Sequence, residues 1–396
     1  MAQQVLIYRL TGSASALGLI NFVAVIPLVP FALWGGSLSD RVPKQKLLAI
    51  TQILMLVQSV ILTVLTWTGN IEIWHLYVLS FLLGAIKAMD TPARHSFVVE
   101  LVEGREDLTN AIGLNSAIHH GARTLGPSIA GIVIATQGEV AAFFINSISF
   151  VAVIVSLLMM KDLPKLVVDS KQKLKGISHL TGGIIYIKSQ NTVLVMMSLV
   201  AVSSFLSKPY KTLMPVFADN MLKESAMPVI DVICRQENPR LNCQVPEALP
   251  LGLLMSAIGL GALIGAIIVA SLSEKARRGW FLIMGNLCFS ACLLIFVNVK
   301  SLLISLIVIF LVGFFNVLQN SLANTLVQIS APDDLRGRVM SIYSLISRGM
   351  SRMGGLQAGL FADQFGASLS VGAGALVSLL YGVLIAFRFK PLRNME

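Results

Sequence analysis

Residues 301–326 read SLLISLIVIFLVGFFNVLQNSLANTL and contain no Asp, Glu, Lys or Arg. The run exceeds the roughly 20 residues that an α-helix needs to cross a hydrocarbon core of about 30 Å. Lipid offers no partner for a bare peptide N–H or C=O, so a run of this kind must close its hydrogen bonds internally as a helix. The alternation of a membrane barrel strand is absent. Working outward, similar runs recur between short polar breaks at about 16–38, 47–68, 74–95, 109–136, 139–160, 191–217, 249–272, 279–299, 338–363 and 367–389. With 301–326 they make eleven, and the fold class is all-α, a polytopic membrane protein.

Composition agrees. Of 396 residues 55% are hydrophobic and 13% charged, against about 25% charged in an ordinary soluble domain. The net charge of +10 forms no basic stripe with interleaved aromatics, so nucleic acid is not an expected partner. The positive residues instead gather in particular breaks: Arg41, Lys44 and Lys46; Lys161, Lys165, Lys171, Lys173, Lys175 and Lys188; Lys275, Arg277 and Arg278; and the tail with Arg388, Lys390 and Arg393. By the positive-inside rule these face the cytoplasm, which places the chain in the inner (plasma) membrane with the 161–190 connector and the C-terminus inside. The 218–248 segment then lies outside, where Cys234 and Cys243 could bridge. Cys288 and Cys292 fall within a span and read as core thiols, not metal ligands.

Two segments of the first half recur in the second. A shift of 234 aligns Ala16-Leu17-Gly18-Leu19 with Pro250-Leu251-Gly252-Leu253, and Ser37-Leu38-Ser39-Asp40-Arg41 with Ser271-Leu272-Ser273-Glu274-Lys275. A shift of 228 places Gly126, Ala130, Gly131 and Gly138 on Gly354, Ala358, Gly359 and Gly366. Parallel repeats of this sort describe a transporter of two helical halves. The expected division is 1–164 for the first bundle, 165–190 for a cytoplasmic connector with an interfacial helix, and 191–396 for a six-helix second bundle with its tail. On that register the first half shows five spans, and residues 1–9 read as the outer end of a further helix.

Three groups of residues resemble the major facilitator superfamily. Gly36-Ser-Leu-Ser-Asp40-Arg41-Val-Pro-Lys44-Gln-Lys46 is similar to its cytoplasmic loop signature, with Pro43 where a second glycine usually stands. The resemblance implies that Asp40 caps a neighbouring helix end and favours the outward-open state, with the basic residues pairing nearby carboxylates; topogenic charge alone also accounts for them. Gly113, Ala122, Gly126, Pro127, Ala130 and Gly131 resemble the antiporter signature of the family's fifth helix, and close helix packing is the plain alternative. Asp90-Thr-Pro-Ala-Arg94, the run from Arg105 to Asn115, and Arg123-Thr-Leu-Gly-Pro127 are similar to the branch of enterobactin exporters and macrolide efflux pumps, the transmembrane secretion effector family.

Ionisable side chains inside a span must pair, meet water or serve function. Lys87, Asp90 and Arg94 sit three and four residues apart, so both pairs can meet on one helix face; static pairing and proton coupling both fit. Asn115, His119 and Arg123 recur every four residues on an otherwise small, apolar helix and are expected to border a central cavity, with Arg123 countering Asp90 or attracting an anion and His119 as a proton carrier. Ser203, Ser204, Lys208 and Tyr210, together with Asn316, Gln319, Asn320 and Asn324, are the expected cavity residues of the second half, although neutral amides also glue helices. Arg348 and Arg352 form another basic face.

The expected function is secondary transport: export of small amphipathic, siderophore- or drug-like molecules by alternating access, with proton antiport, no cofactor, membrane lipids as surroundings and a monomeric state. No H-E-x-x-H or G-x-S-x-G is present, so neither a catalytic residue nor a metal site is expected. Lysophospholipid translocation, an inactive remnant and a membrane-embedded enzyme are the alternatives.

Overall fold

A computed structural model describes residues 1–27, 43–101, 105–160, 178–234, 243–272, 277–393 and 395. Within them, the backbone alone is described at 92, 95–96, 98–100, 105–113, 115–117, 119–120, 178–181 and 333–334. The described residues form helices and no strand.

Helix α3 (Lys44–Trp67) shows why these segments are helical in lipid. Ile50, Ile53, Leu54, Val57, Val60, Ile61 and Val64 are exposed, at the three- and four-residue spacing of one face. The opposite face buries Thr51, Gln52, Gln58 and Ser59 among Leu48, Met55 and Leu62. Such a helix is apolar outward and polar inward, the reverse of a helix on a water-soluble protein, because its outer solvent is hydrocarbon.

Before it come α1 (Ala2–Thr11) and α2 (Ala14–Val23). After it come α4 (Ile73–Glu100), α5 (Arg105–Met159), α6 (Ser178–Ser189) and α7 (Asn191–Val202). A π turn (Ser203–Ser207) and a 3-10 turn (Lys208–Lys211) prolong α7. Two short helices, α8 (Met214–Asn220) and α9 (Lys223–Ile233), precede α10 (Ala248–Ser271), α11 (Arg278–Phe296) and α12 (Leu302–Ser330). Then α13 (Asp333–Ser344) passes through a second π turn (Leu345–Gly349) into α14 (Met350–Phe365), followed by α15 (Ala367–Arg388) and α16 (Lys390–Arg393).

Among the described residues eight helical stretches are long and apolar enough to cross a membrane. Counting α5 as two limbs is natural, because Gly138 breaks it at φ 76, a left-handed conformation that glycine adopts without a Cβ clash. The described part of α2 is ten residues long, and the 333–365 stretch is divided by its π turn, so the count of eleven spans is not reproduced.

The repeat seen in the sequence reappears as matched contacts. A Cβ at Gly131 would lie 2.9 Å from the Ala248 carbonyl oxygen, and one at Gly252 would lie 2.8 Å from that of Pro127. Adding 228 to the α5 positions and subtracting 234 from the α10 positions gives the second interface: Gly359 against the Ala14 oxygen at 2.5 Å, and Gly18 against that of Gly355 at 2.5 Å. Gly366, the partner of Gly138 under the same shift, also has positive φ, 88°. The small residues therefore allow α5 to press on α10 and α2 on α14, backbone to backbone. The approach is absent at Gly126, where an added Cβ would meet nothing within 4 Å, so the close packing expected there belongs to Gly131.

Both interfaces lie toward the end of the bundle that carries the bond between Cys234 and Cys243, whose Cα atoms are 5.5 Å apart; we call it the disulfide end, and the opposite one the connector end. At the disulfide end Asp363 of α14 crosses to the start of α2, accepting hydrogen bonds from Ser13 Oγ (2.7 Å), Ala14 N (2.6 Å) and Ser15 N (3.0 Å). Arg9 pairs with Glu139, beside the Gly138 break, at 3.1 Å. Aromatic and aliphatic residues such as Phe217, Phe289, Phe296, Leu251 and Leu254 fill the core at that end.

Candidate functional site

Asp90 of α4 is buried against α3. Its carboxylate accepts hydrogen bonds from Thr51 Oγ1 and Gln52 Nε2, each at 2.9 Å, and pairs with Arg94 Nη2 at 3.2 Å. The i, i+4 spacing brings Arg94 onto the same helix face. Two expectations change here. Neither Lys87 nor Arg123 forms an ion pair with Asp90 among the described residues, because α3 donors and Arg94 already occupy its lone pairs.

In the second half, Ser203 donates to Gln319 Oε1 (3.2 Å), Gln319 Nε2 donates to Asn286 Oδ1 (3.2 Å), and Ser378 Oγ donates to the same oxygen (3.3 Å). All four residues are fully buried, and they tie the α7 extension to α12, α11 and α15. Ser203 and Gln319 are thus helix glue and not the cavity lining expected of them. Tyr210 is corrected likewise: it is fully buried, edge-on to Phe289 with ring centroids 6.1 Å apart. The π and 3-10 turns that precede it break the 3.6-residue period on which a helical-face argument depends.

Other side chains do converge on the space between the halves. Lys208 Nζ donates to Ser204 Oγ and to Asn320 Oδ1, each at 2.7 Å. Asn320 is held in turn by its Nδ2 bond to the Asn316 carbonyl at 2.6 Å and by Tyr343, whose hydroxyl donates to the Asn320 carbonyl at 3.0 Å. From the opposite wall Arg352 Nη1 donates to Asn21 Oδ1 of α2 at 2.9 Å. Lys211 stands 5.7 Å from the Tyr210 ring centroid. Lys87, Lys211 and Arg352 present accessible surface while lying deep within the mass of the protein. Accessible yet surrounded is the signature of a wall facing an internal space.

Five cations therefore border this region: Lys87 and Arg123 from the first half, and Lys208, Lys211 and Arg352 from the second. Arg123 and Lys211 are charge neighbours, as are Lys211 and Lys208, and Lys87 has both Arg352 and the carboxylate of Asp90 as charge neighbours. Among the described residues none of the five makes an ion pair. A charge placed at the centre of a span costs roughly 2.5–3.5 kcal/mol on the insertion scale, which the acceptors Ser204 and Asn320 offset for Lys208, and Asn21 for Arg352. Lys211 escaped the sequence reading, although a second lysine three residues after Lys208 in an apolar run was its signal; Asn21 and Asn286 gave none.

Asn324 and Arg348 are exposed. The side chains of Asn115 and His119, and all of Gly36, Asp40 and Arg41, lie outside the described residues, whereas Lys44 begins α3. Among the described residues no cluster of His, Cys, Asp and Glu could hold a metal ion. An apolar groove is lined by Ile184, Ile187, Leu194, Met197, Ile342 and Ile346.

The family model described as Major Facilitator Superfamily matches residues 1–356 and 248–395. The chain belongs to the major facilitator superfamily. Within it, the chain is similar to the staphyloferrin A transporter of Staphylococcus aureus, 26% identical over 89% of this chain and 82% of that protein. It is also similar to the multidrug efflux pump Tap of Mycolicibacterium fortuitum (23%, 96% and 89%) and to the enterobactin exporter EntS of Escherichia coli (22%, 91% and 80%). In structure it resembles the nucleoside transporter NupG, with a TM-score of 0.68 over 99% of this chain and 94% of that one, at 12% identity. A multi-pass membrane transporter, and not an enzyme, is what these similarities establish.

Proposed function

We propose that this protein exports small amphipathic molecules, siderophore-like or drug-like, across the plasma membrane by alternating access. The observation that carries the reading is the polar, charged space between two halves that touch along α2–α14 and α5–α10; its relatives are named for siderophore and multidrug transport. With the disulfide end closed by glycine contacts and by Asp363, the space is presented toward the connector end. The positive-inside rule makes that end cytoplasmic, where an exporter collects its cargo.

The coupling we attach to this cycle is exchange against protons, in a single-chain transporter. Asp90 is the candidate carrier, because the other described carboxylate within a membrane-spanning stretch, Glu139, is tied to Arg9 at the Gly138 break. Taking up a proton on Oδ2 would break the ion pair with Arg94 and weaken the bonds that Oδ1 accepts from Thr51 and Gln52, a rearrangement that loosens α3 from α4.

The test is flux in proteoliposomes with an imposed pH gradient, using enterobactin and ethidium as cargo. The gradient should accelerate flux at least severalfold in the parent protein. In Asp90→Asn the acceleration should vanish while cargo counterflow persists. A parent protein that moves neither cargo would remove the export reading, and an Asp90→Asn protein with unchanged gradient dependence would remove Asp90 as carrier.

A further inference from the structure

We propose that an anionic phospholipid of the surrounding bilayer occupies the apolar groove between α6, α7 and α13, with an acyl chain lying in the groove and the head group at Lys188. The groove follows from the way α6 is fixed. The Tyr186 hydroxyl donates to the Ser330 carbonyl at the end of α12. Gly183 is buried where an added Cβ would meet the Ile342 side chain at 2.9 Å and that of Arg338 at 3.1 Å. Held by α12 and pressed onto α13, α6 leaves a furrow of about 240 Å³ beside α7. Ile187 and Met197 are its buried floor, whereas Ile184 and Leu194 on its sides are 43% and 41% exposed.

Shape and surroundings select the occupant. The furrow follows α7 from Leu194 to Ala201, about 10 Å at the helical rise. Its volume over that length leaves a width of roughly 5 Å, which one extended hydrocarbon chain fills and a helix, about 10–12 Å across with its side chains, does not enter. Asn191–Lys211 is a membrane-spanning stretch by length and composition, so the apolar material at hand is the acyl chain, and apolar walls disfavour water in its place.

Charge selects the head group. Lys188 lines the groove where α6 ends, is exposed, and makes no hydrogen bond or ion pair among the described residues. Arg338 lies against α6 at Gly182 and Gly183. No acidic residue lines the groove among the described residues, and in sequence the connector that leads into α6 sets Lys161, Lys165, Lys171, Lys173 and Lys175 against Asp162 and Asp169. A lysine at the membrane surface favours an anionic over a zwitterionic head group by about fivefold.

The far end of the groove reaches Ala201, just ahead of the π turn Ser203–Ser207, and Ile346, inside the π turn Leu345–Gly349. A seated chain therefore packs beside both irregular turns at once and braces them.

The test places a tryptophan in the groove, Leu194→Trp, and another at an exposed position near the same end of α10, Ile267→Trp. Each protein is reconstituted in phosphatidylcholine vesicles with rising fractions of phosphatidylglycerol or phosphatidylcholine whose acyl chains carry bromine, a contact quencher of indole fluorescence, and the parent signal is subtracted. Brominated phosphatidylglycerol should quench Leu194→Trp at about a fivefold lower fraction than brominated phosphatidylcholine, and Ile267→Trp at nearly equal fractions. Adding Lys188→Glu should erase the preference, and Lys188→Arg should keep it. Without any tryptophan substitution, phosphatidylglycerol should raise the melting midpoint of the parent in phosphatidylcholine nanodiscs and leave that of Lys188→Glu unchanged. Equal quenching of Leu194→Trp by the two lipids would overturn the inference. So would the same preference at Ile267→Trp, which describes a belt of charge without a site, or no quenching of Leu194→Trp by either lipid, as when a second copy of the chain covers the groove. None of these results touches cargo flux, so the inference and the export reading fail separately.

Discussion

Asp363→Ala should open the disulfide end. The Asp363 carboxylate accepts from Ser13 Oγ, Ala14 N and Ser15 N at 2.6–3.0 Å, and these donors belong to the other half of the molecule. The bonds can exist only while α2 and α14 are together, so they stabilise the closed form and contribute nothing once the halves part. Loss of a helix N-cap costs about 1 kcal/mol, and a negative charge at a helix N-terminus is worth roughly 0.3–1 kcal/mol more. Asp363 is exposed, so water and salt replace part of each bond, and about 1 kcal/mol is a fair total for the capping bonds and the charge together. That corresponds to about a fivefold shift in the ratio of closed to open forms. Spin labels at Asn70 and Met227, exposed positions in the two halves at this end, would report it as growth of a longer distance in pulsed dipolar spectra. Asp363→Asn, which keeps an acceptor and loses the charge, should lie between parent and alanine. An Asp363→Ala protein that is folded and gives the parent distance distribution would refute the assignment.

Gly131→Ala should disfavour the same closed form, by about 1–3 kcal/mol, since its Cβ would meet the Gly252 Cα at 2.9 Å and the Ala248 carbonyl; Gly126→Ala, in open space, should be silent, and the same labels compare them. Tyr210→Phe removes a buried hydroxyl that finds no partner, so melting in detergent should be unchanged or raised, by up to about 1–2 kcal/mol, with transport intact; a loss of flux without loss of stability would return Tyr210 to the cavity. Gln319→Leu leaves Ser203 without its acceptor and Asn286 Oδ1 with Ser378 as its remaining donor, and should lower stability by about 1–3 kcal/mol, again read by melting.

Much of the fold was legible because lipid imposes one rule along the whole chain: apolar length means helix. The two-half plan was legible for a more particular reason. Gly18, Gly131, Gly252 and Gly359 each accept a neighbouring backbone where a Cβ would collide, so the same small residues stand at the same register in both halves. The site was harder to read. Lys87, Lys208, Arg123 and Arg352 could be named because charge in an apolar run is conspicuous, but their neighbours could not, since helical spacing reports contacts within one helix only. Asp90 met donors from α3, and Arg352 met Asn21 from 331 positions away. Asp363 resembled an ordinary surface acid at a helix end. Ser203 and Gln319 took the gluing alternative because a polar group in a membrane helix satisfies itself against a sister helix as readily as against cargo, whereas Tyr210 was displaced by the π and 3-10 turns ahead of it.

The two π turns, at Ser203–Ser207 and Leu345–Gly349, stand just ahead of Lys208 and Arg352. A π turn carries one guest residue beyond the α count, and one residue is about 100° of rotation around the axis. If the guest were absorbed into the adjoining α-helix, everything beyond it would swivel by that angle, so Lys208 and Arg352 would change the way they face together, by a twist of two rods without a bend in either.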